Sequence, residues 1–87
     1  MNPYLDTIKD GYIIREFSDK VSNFELVWHR DKKDRWVVCE HDTDWKFQLD
    51  NELPVSLQAT KLFIPKETYH RLIKGSGTLT LKIQEVG

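Results

Sequence analysis

Eight short segments rich in β-branched and aromatic residues recur along the 87-residue chain, at a spacing of roughly 8 to 12 residues. They cover residues 12–17, 25–30, 35–40, 44–49, 55–57, 61–64, 68–74 and 78–86. In the last segment, LTLKIQEV, apolar and polar residues alternate, as in a strand with one face on a core. Turn sequences separate several segments: DKKD at 31–34, DNELP at 50–54 and GSG at 75–77. The pattern predicts an all-β protein, a small antiparallel barrel or sandwich.

The first residues carry the features of a helix instead. Asn2 is a candidate N-cap, Pro3 occupies the first helical position, and Gly11 would end the helix. Leu5 and Ile8 lie three residues apart, on what would be one helical face. We therefore expect a short N-terminal helical turn before the first strand.

Length and composition limit the classes of protein that fit. A chain of this length buries roughly 60 to 65% of the surface that it exposes when unfolded, so we expect one domain, 1–87, with its core in 11–86. The net charge of -1 argues against a nucleic-acid partner held by phosphate neutralisation. The single cysteine, Cys39, excludes an intramolecular disulfide and reads as a small buried hydrophobe. With neither a signal-peptide core nor a membrane-length apolar run, we expect a cytoplasmic protein without a membrane partner.

Three side chains form a candidate metal site. In LVWHRD, read as a strand, His29 and Asp31 are two residues apart and share a face. His70 shares a face with Leu72 in a later segment, so it faces the core if Leu72 does. Two histidines and one carboxylate make the facial triad of non-haem iron sites, which leaves coordination positions open. The alternative is that His29 and Asp31 hydrogen-bond one another or the flanking backbone.

Two stretches resemble the sequence motifs of the cupins. FIPKETYHRLIKGSGTLTLKI is similar to the second motif, in which a strand leads to a proline, a tight turn and an inward-facing histidine. WHRD resembles the opening of the first motif, which places a histidine pair on an earlier strand. The resemblance covers roughly 26–83 and implies a small double-stranded β-helix, a jelly roll of two antiparallel sheets, often dimeric, with a metal inside. Short stand-alone cupins of this type also resemble bacteriophage-encoded proteins.

The chain departs from both motifs. Asp31 stands where the first motif usually has its second histidine, and Arg35 or Trp36 stands where a glutamate should follow. In the second motif, Ala59 and Glu67 replace the usual glycines. Three of the usual four ligands remain, so the fourth is left open between water, a nearby carboxylate and none; the candidate carboxylates are Glu40 and Asp34.

The resemblance leads to two functional hypotheses. In the first, one divalent transition metal (iron, zinc, nickel or manganese) is held by the three ligands and acts on a small polar molecule, with dioxygen chemistry for iron and isomerase or lyase chemistry for the others. The candidate substrate-binding residues are Arg35, Trp45, Phe47 and Tyr69. In the second, the barrel is a ligand-binding or oligomerising module without metal. Whether the protein is an enzyme stays open.

The surroundings of Trp28, and the choice between Arg35 and Trp36 as the inward-facing residue, depend on which face of each strand lies on the core. If His29 faces inward, Trp28 faces outward and needs cover, either from the N-terminal segment or from a second subunit, so we expect a homodimer. Whether Arg35 or Trp36 enters the barrel depends on the DKKD turn, because a shift of one residue exchanges the two faces.

Overall fold

The structure, a computed structural model, describes residues 4–22, 26–58 and 61–86. Its eight strands are β1 Tyr4–Lys9, β2 Tyr12–Phe17, β3 Asp34–Val38, β4 Lys46–Leu49, β5 Val55–Ser56, β6 Lys61–Ile64, β7 His70–Ile73 and β8 Leu79–Val86. They form a five-stranded sheet in the order β1-β2-β8-β3-β6 and a three-stranded sheet in the order β5-β4-β7, with every pair antiparallel. No helix occurs within these ranges, so the all-β prediction is confirmed and none of the described segments could cross a membrane as a helix.

One apolar cluster lies between the two sheets. Strand β8 contributes every second residue to it, as the alternation in LTLKIQEV predicts. The buried members are Phe17, Val21, Leu26, Val37, Cys39, Trp45, Phe47, Leu57, Ile64, Leu79, Leu81 and Ile83. Because these residues come from both sheets, the core holds the two layers together and leaves the strand ends to form a site.

The predicted N-terminal helical turn is wrong, because residues 4–9 form a strand. Strand β1 pairs with β2 over its whole length, up to the pair Lys9 and Tyr12. The two residues between them, Asp10 and Gly11, have φ angles of 53° and 82°, as a type I′ hairpin turn requires. Asp-Gly is a strong hairpin sequence, and it outweighs the i, i+3 spacing of two apolar residues. The proposed cap, Asn2, and Pro3 lie outside the described residues.

The expected strand at 25–30 is also corrected. Residue 25 lies outside the described residues, and from Leu26 to Asp31 the chain is irregular, with one isolated bridge between His29 and His70. Leu26 is buried in the core, while Val27 is 60% exposed and Trp28 is 39% exposed. The segment therefore lies beside β7, at the edge of the three-stranded sheet, and pairs with it at one position only among the described residues.

The loop before β8 is tied to the loop before β4 by a carboxylate. The side chain of Asp44 accepts hydrogen bonds from the backbone N–H of Ser76 at 2.7 Å and from its hydroxyl at 2.9 Å. A Cβ on the neighbouring Gly75 would meet the Asp44 carboxylate and lie 2.6 Å from the backbone nitrogen of Trp45, so this close approach requires glycine. The two Ser76 hydrogen bonds outweigh desolvation and lower the pKa of Asp44.

This lowered pKa predicts an acid-sensitive contribution to stability. A carboxyl group whose pKa is lower in the folded than in the unfolded state contributes its full stabilisation of the fold above the unfolded pKa, about 3.9. That contribution is lost as pH falls through the folded pKa. We expect Asp44→Asn to reduce the thermal midpoint at neutral pH and to flatten its decline below about pH 4. Thermal unfolding followed by circular dichroism across pH 2 to 7 measures both effects. Asp50→Asn, in an exposed turn, is the control, and an identical acid limb in both variants would contradict the assignment.

Candidate metal centre

The isolated bridge brings two histidines from distant parts of the chain together. The backbone N–H of His29 donates to the carbonyl of His70 at 3.0 Å, and the N–H of His70 donates to the carbonyl of His29 at 2.8 Å. Their rings lie edge to face with centroids 4.2 Å apart. Asp31 completes the group, and one potential ligand atom from each residue lies within 4.8 Å of the others. Atoms bound to one ion at about 2.0 to 2.3 Å lie at most about 4.6 Å apart, so the three side chains are near the spacing of a shared ion.

Each imidazole is oriented by a backbone carbonyl two residues before it. Nδ1 of His29 lies 3.1 Å from the carbonyl of Val27, and Nδ1 of His70 lies 2.9 Å from that of Thr68. With the proton on Nδ1, each ring donates to its carbonyl and keeps the Nε2 lone pair for a ligand. This is the outer hydrogen bond that fixes the tautomer of most metal-binding histidines.

Asp31 holds the least satisfied polar atom of the site. Its Oδ1 is 3.3 Å from Nη1 of Arg35, whereas its Oδ2 is fully buried and has no hydrogen-bond partner within the described ranges. Oδ2 lies 3.3 Å from Nε2 of His70. With the His70 proton on Nδ1, two lone pairs face each other there without a hydrogen between them. A cation would satisfy both atoms, so the residues present fit a metal ion.

Burial decides the charge of His70. The side chain is 5% exposed, and desolvation lowers its pKa further than the Thr68 hydrogen bond raises it. Repulsion from His29 and from Arg35 acts in the same direction as burial, and attraction to Asp31 opposes it. The imidazole is therefore neutral at neutral pH, which is the form that binds metals.

The three side chains lie on the wall of a cavity of about 250 Å³ between the sheets. Apolar side chains make up most of the remaining wall: Phe17, Leu26, Val37, Phe47, Leu57, Ile64, Leu72, Leu81 and Ile83. Val27 and His29 also line the cavity and are both exposed, so its mouth opens beside the candidate ligands. A small molecule entering there would meet His29 before the apolar interior.

Comparison with known proteins bears on the fold. No family model matches the sequence, and no curated protein matches it. Among solved structures, a cupin domain from Bordetella pertussis Tohama I aligns with 97% of this chain and 94% of its own, at 16% identity and a TM-score of 0.60. A cupin-2 domain protein from Shewanella frigidimarina NCIMB 400 aligns with 95% of this chain and 79% of its own, at 13% identity and a TM-score of 0.63. The chain has the cupin fold.

A metal-containing protein is among the similar structures. Iron(II) HppE in complex with its substrate aligns with 95% of this chain, at 10% identity and a TM-score of 0.67. The match covers 52% of the HppE chain, so this chain spans about half the length of HppE. At these identities the likeness is one of fold.

The structure separates the four residues proposed to bind substrate. Arg35 and Phe47 line the cavity of the cupin barrel. Trp45 is fully buried in the core, where its indole N–H donates to the carbonyl of Gly77 at 3.3 Å. Tyr69 is exposed, and the guanidinium of Arg30 lies 5.4 Å from its ring centroid. Trp45 and Tyr69 are thus placed in the core and on the surface.

The register of β3 settles which neighbour enters the cavity. Arg35 faces inward, with Nε and Nη2 donating to Oε2 of Glu85 at 3.2 and 2.9 Å. Trp36 lies on the outer face of the sheet, with its ring 4.9 Å from that of Phe63. The fork of Arg35 is therefore engaged by Glu85 and Asp31.

Three other potential ligands, the carboxylates of Asp34 and Glu40 and the imidazole of His41, have structural partners. Asp34 accepts from the backbone N–H of Lys66 at 2.7 Å, and Glu40 lies 3.9 Å from the ammonium of Lys82. Nε2 of His41 accepts from the N–H of Thr80 at 3.0 Å. None of these three belongs to the cluster formed by His29, Asp31 and His70 among the described residues.

Two further motif positions also have a structural explanation. Glu67, at a usual glycine position, has φ of 60°, the left-handed conformation that glycine adopts without strain. Trp28 is partly covered by Arg71, whose guanidinium lies 4.8 Å from the indole centroid and whose Nε donates to Gln48 at 2.9 Å. The homodimer stays a prediction.

Sequence reasoning missed Arg15 and Tyr4, which also line the cavity. Arg15 is on β2, and its side chain faces inward opposite Asp6 of β1. A helix at residues 4–9 would not place a carboxylate opposite Arg15. The sequence therefore gives no reason to expect a buried arginine on this strand.

We expect Arg35→Met to destabilise the metal-free protein by about 2 kcal/mol. Removing one partner of a buried ion pair costs about 3 to 5 kcal/mol, and we reduce this because the partner Glu85 is partly exposed. Urea unfolding in the presence of a chelator measures the change. Arg71→Met, whose partners Gln48 and Trp28 are uncharged, should cost less than 1 kcal/mol. Adding Asp31→Asn to Arg35→Met should recover part of the loss, and strict additivity would contradict the pairing.

Proposed function

We propose that this cupin barrel holds one divalent transition metal through His29, Asp31 and His70 and uses it to bind and transform a small polar molecule in the cavity. The observation that carries the proposal is the 3.3 Å contact between Nε2 of His70 and Oδ2 of Asp31, an oxygen that is buried and has no hydrogen-bond partner among the described residues. A structure without a cation there would leave a carboxylate oxygen unsatisfied at a cost of about 1 to 3 kcal/mol or more.

The donor set limits the identity of the ion. Two imidazoles and one carboxylate suit iron, zinc, nickel and manganese better than calcium or magnesium, which prefer oxygen ligands. Iron is supported by the similarity of the barrel to iron(II) HppE, and a cobalt(II) form of HppE is similar as well. Bound there, such an ion would supply Lewis acidity, and iron would also supply redox chemistry.

The chain itself would contribute access and orientation. An ion held by three protein ligands would keep coordination positions for an exogenous ligand, and the exposed His29 lines the cavity at its mouth. The apolar wall excludes water from the inner side of the ion, which strengthens electrostatic interactions with a bound ligand. Arg35 fixes the rotamer of Asp31 through Oδ1 and leaves Oδ2 for the metal.

The direct test is elemental analysis of protein purified without chelators or a metal-binding tag, followed by titration of the chelated protein with iron(II) under nitrogen and with zinc. We expect one metal per chain and weaker binding at acid pH, because protons compete for the imidazole and carboxylate ligands. Trace metal in the purified protein and no saturable binding by a folded chain would contradict the proposal. That result would favour a metal-free ligand-binding module with the same fold.

A further inference from the structure

A second arginine, Arg15, also lines the cavity. Arg15 is largely buried, and its Nε and Nη2 donate to the two oxygens of Asp6 at 2.8 and 2.9 Å. Its guanidinium carbon lies 3.8 Å from the ring centroid of Tyr4, which fixes the plane of the group. Within the described residues, Nη1 has no hydrogen-bond partner. Arg15 therefore keeps donors available on a residue that lines the cavity.

The charges around the cavity favour an anion once a metal is bound. Arg15 and Arg35 face three carboxylates, those of Asp6, Asp31 and Glu85, which gives the group one excess negative charge. A divalent ion on Asp31 reverses this to one excess positive charge. A monoanion would then neutralise the site, whereas a dianion would leave it negative.

The size and polarity of the wall define the rest of the ligand. The volume of about 250 Å³ is below the usual range for drug-sized ligands, roughly 300 to 1,000 Å³. Most of the lining is aliphatic or aromatic, so the ligand needs an apolar body beside its charged group. From these observations we propose that the cavity binds a small monocarboxylate with an apolar body, its carboxylate accepting hydrogen bonds from Nη1 of Arg15. The metal-bound form of this site rests on the function proposed above.

Benzoate and its neutral isostere benzamide test the subsite on zinc-loaded protein by calorimetry, with the Nε signals of the arginines followed by NMR. We expect benzoate to bind at least about tenfold more tightly than benzamide, since hydrogen bonds to charged groups are the stronger ones. Arg15→Gln should remove that difference, and Arg71→Gln, an arginine outside the cavity, should retain it. Asp6→Asn should strengthen benzoate binding severalfold, because it removes a competing carboxylate while keeping Arg15, so it tests the subsite even if Arg15→Gln does not fold.

The outcomes separate this inference from the proposed function. Zinc binding without benzoate binding at millimolar concentration, equal affinity for benzoate and benzamide, or full binding by folded Arg15→Gln would overturn the subsite and leave the metal site standing. If neither zinc nor iron(II) binds, benzoate is titrated into the metal-free protein. Binding that depends on Arg15 would then support the subsite and overturn the metal function, and no binding would overturn both.

Discussion

Replacing His70 with alanine should lower metal affinity at least about a hundredfold. Four-ligand zinc sites have apparent binding free energies of about 10 to 16 kcal/mol, or roughly 3 kcal/mol for each ligand, and 1.4 kcal/mol is a factor of ten. His70 is the buried member of the set, and its Nε2 lies 3.3 Å from Oδ2 of Asp31. Competition against a chromophoric chelator, with zinc and with iron(II), measures the change.

His41→Ala is the matched control, because it removes a histidine whose Nε2 bonds to the backbone of β8 away from the cavity. Its metal affinity should stay within about twofold of the parent. If His70→Ala does not fold, Asp31→Asn keeps the side-chain shape and removes the charge, and it should also lose the metal. Stoichiometric metal in folded His70→Ala, or equal loss in His41→Ala, would refute the ligand assignment.

Trp45→Ala should destabilise the fold by about 3 to 5 kcal/mol, the usual cost of truncating a buried Trp or Phe. The indole is completely buried, packs 5.8 Å from the ring of Phe17, and donates to the carbonyl of Gly77. Since small domains are stable by only about 5 to 15 kcal/mol, much of the total would be lost. Urea unfolding followed by far-ultraviolet circular dichroism gives the free energy of unfolding.

Trp28→Ala is the control for losing a tryptophan, because Trp28 is 39% exposed. This substitution should lower the free energy of unfolding by about 1 kcal/mol or less. Trp45→Phe retains most of the apolar volume and gives a measurable midpoint if the alanine variant is unfolded at zero denaturant. A cost below 1 kcal/mol for Trp45→Ala would mean that the residue does not anchor the core.

The fold could be predicted from sequence where alternation and turn chemistry agreed. In β8 the period-two pattern identified the buried face, and the stretch around Pro65 and His70 supported the cupin resemblance. At the N-terminus, an apparent cap and two apolar residues three apart predict a helix. The Asp10-Gly11 turn instead forms a hairpin. Local patterns compete, and only the pairing of β1 with β2 decides between them.

Part of the candidate site could be predicted from the sequence. The residue types identified His29, Asp31 and His70, although the irregular path of 26–31 was not foreseen. The partners that orient them were not visible in sequence, since Thr68 and Val27 act through backbone carbonyls. The inward position of Arg35 depended on register, and the role of Arg15 depended on a strand that the sequence did not suggest.

The isolated bridge has a consequence for local opening. Two of the three proposed ligands lie on a segment that joins the three-stranded sheet through one pair of backbone hydrogen bonds at His29, with a further hydrogen bond from Glu67 to the carbonyl of Asp31. Without a metal, the segment is held to β7 by these bonds, by Leu26 in the core and by the contacts of Trp28 with Arg71 and of His29 with His70, and not by a continuous strand pairing. The His29 amide should therefore exchange with solvent well before the amides of β8. An ion shared with His70 would join the segment to the sheet, so that opening of the mouth and release of the metal become one event.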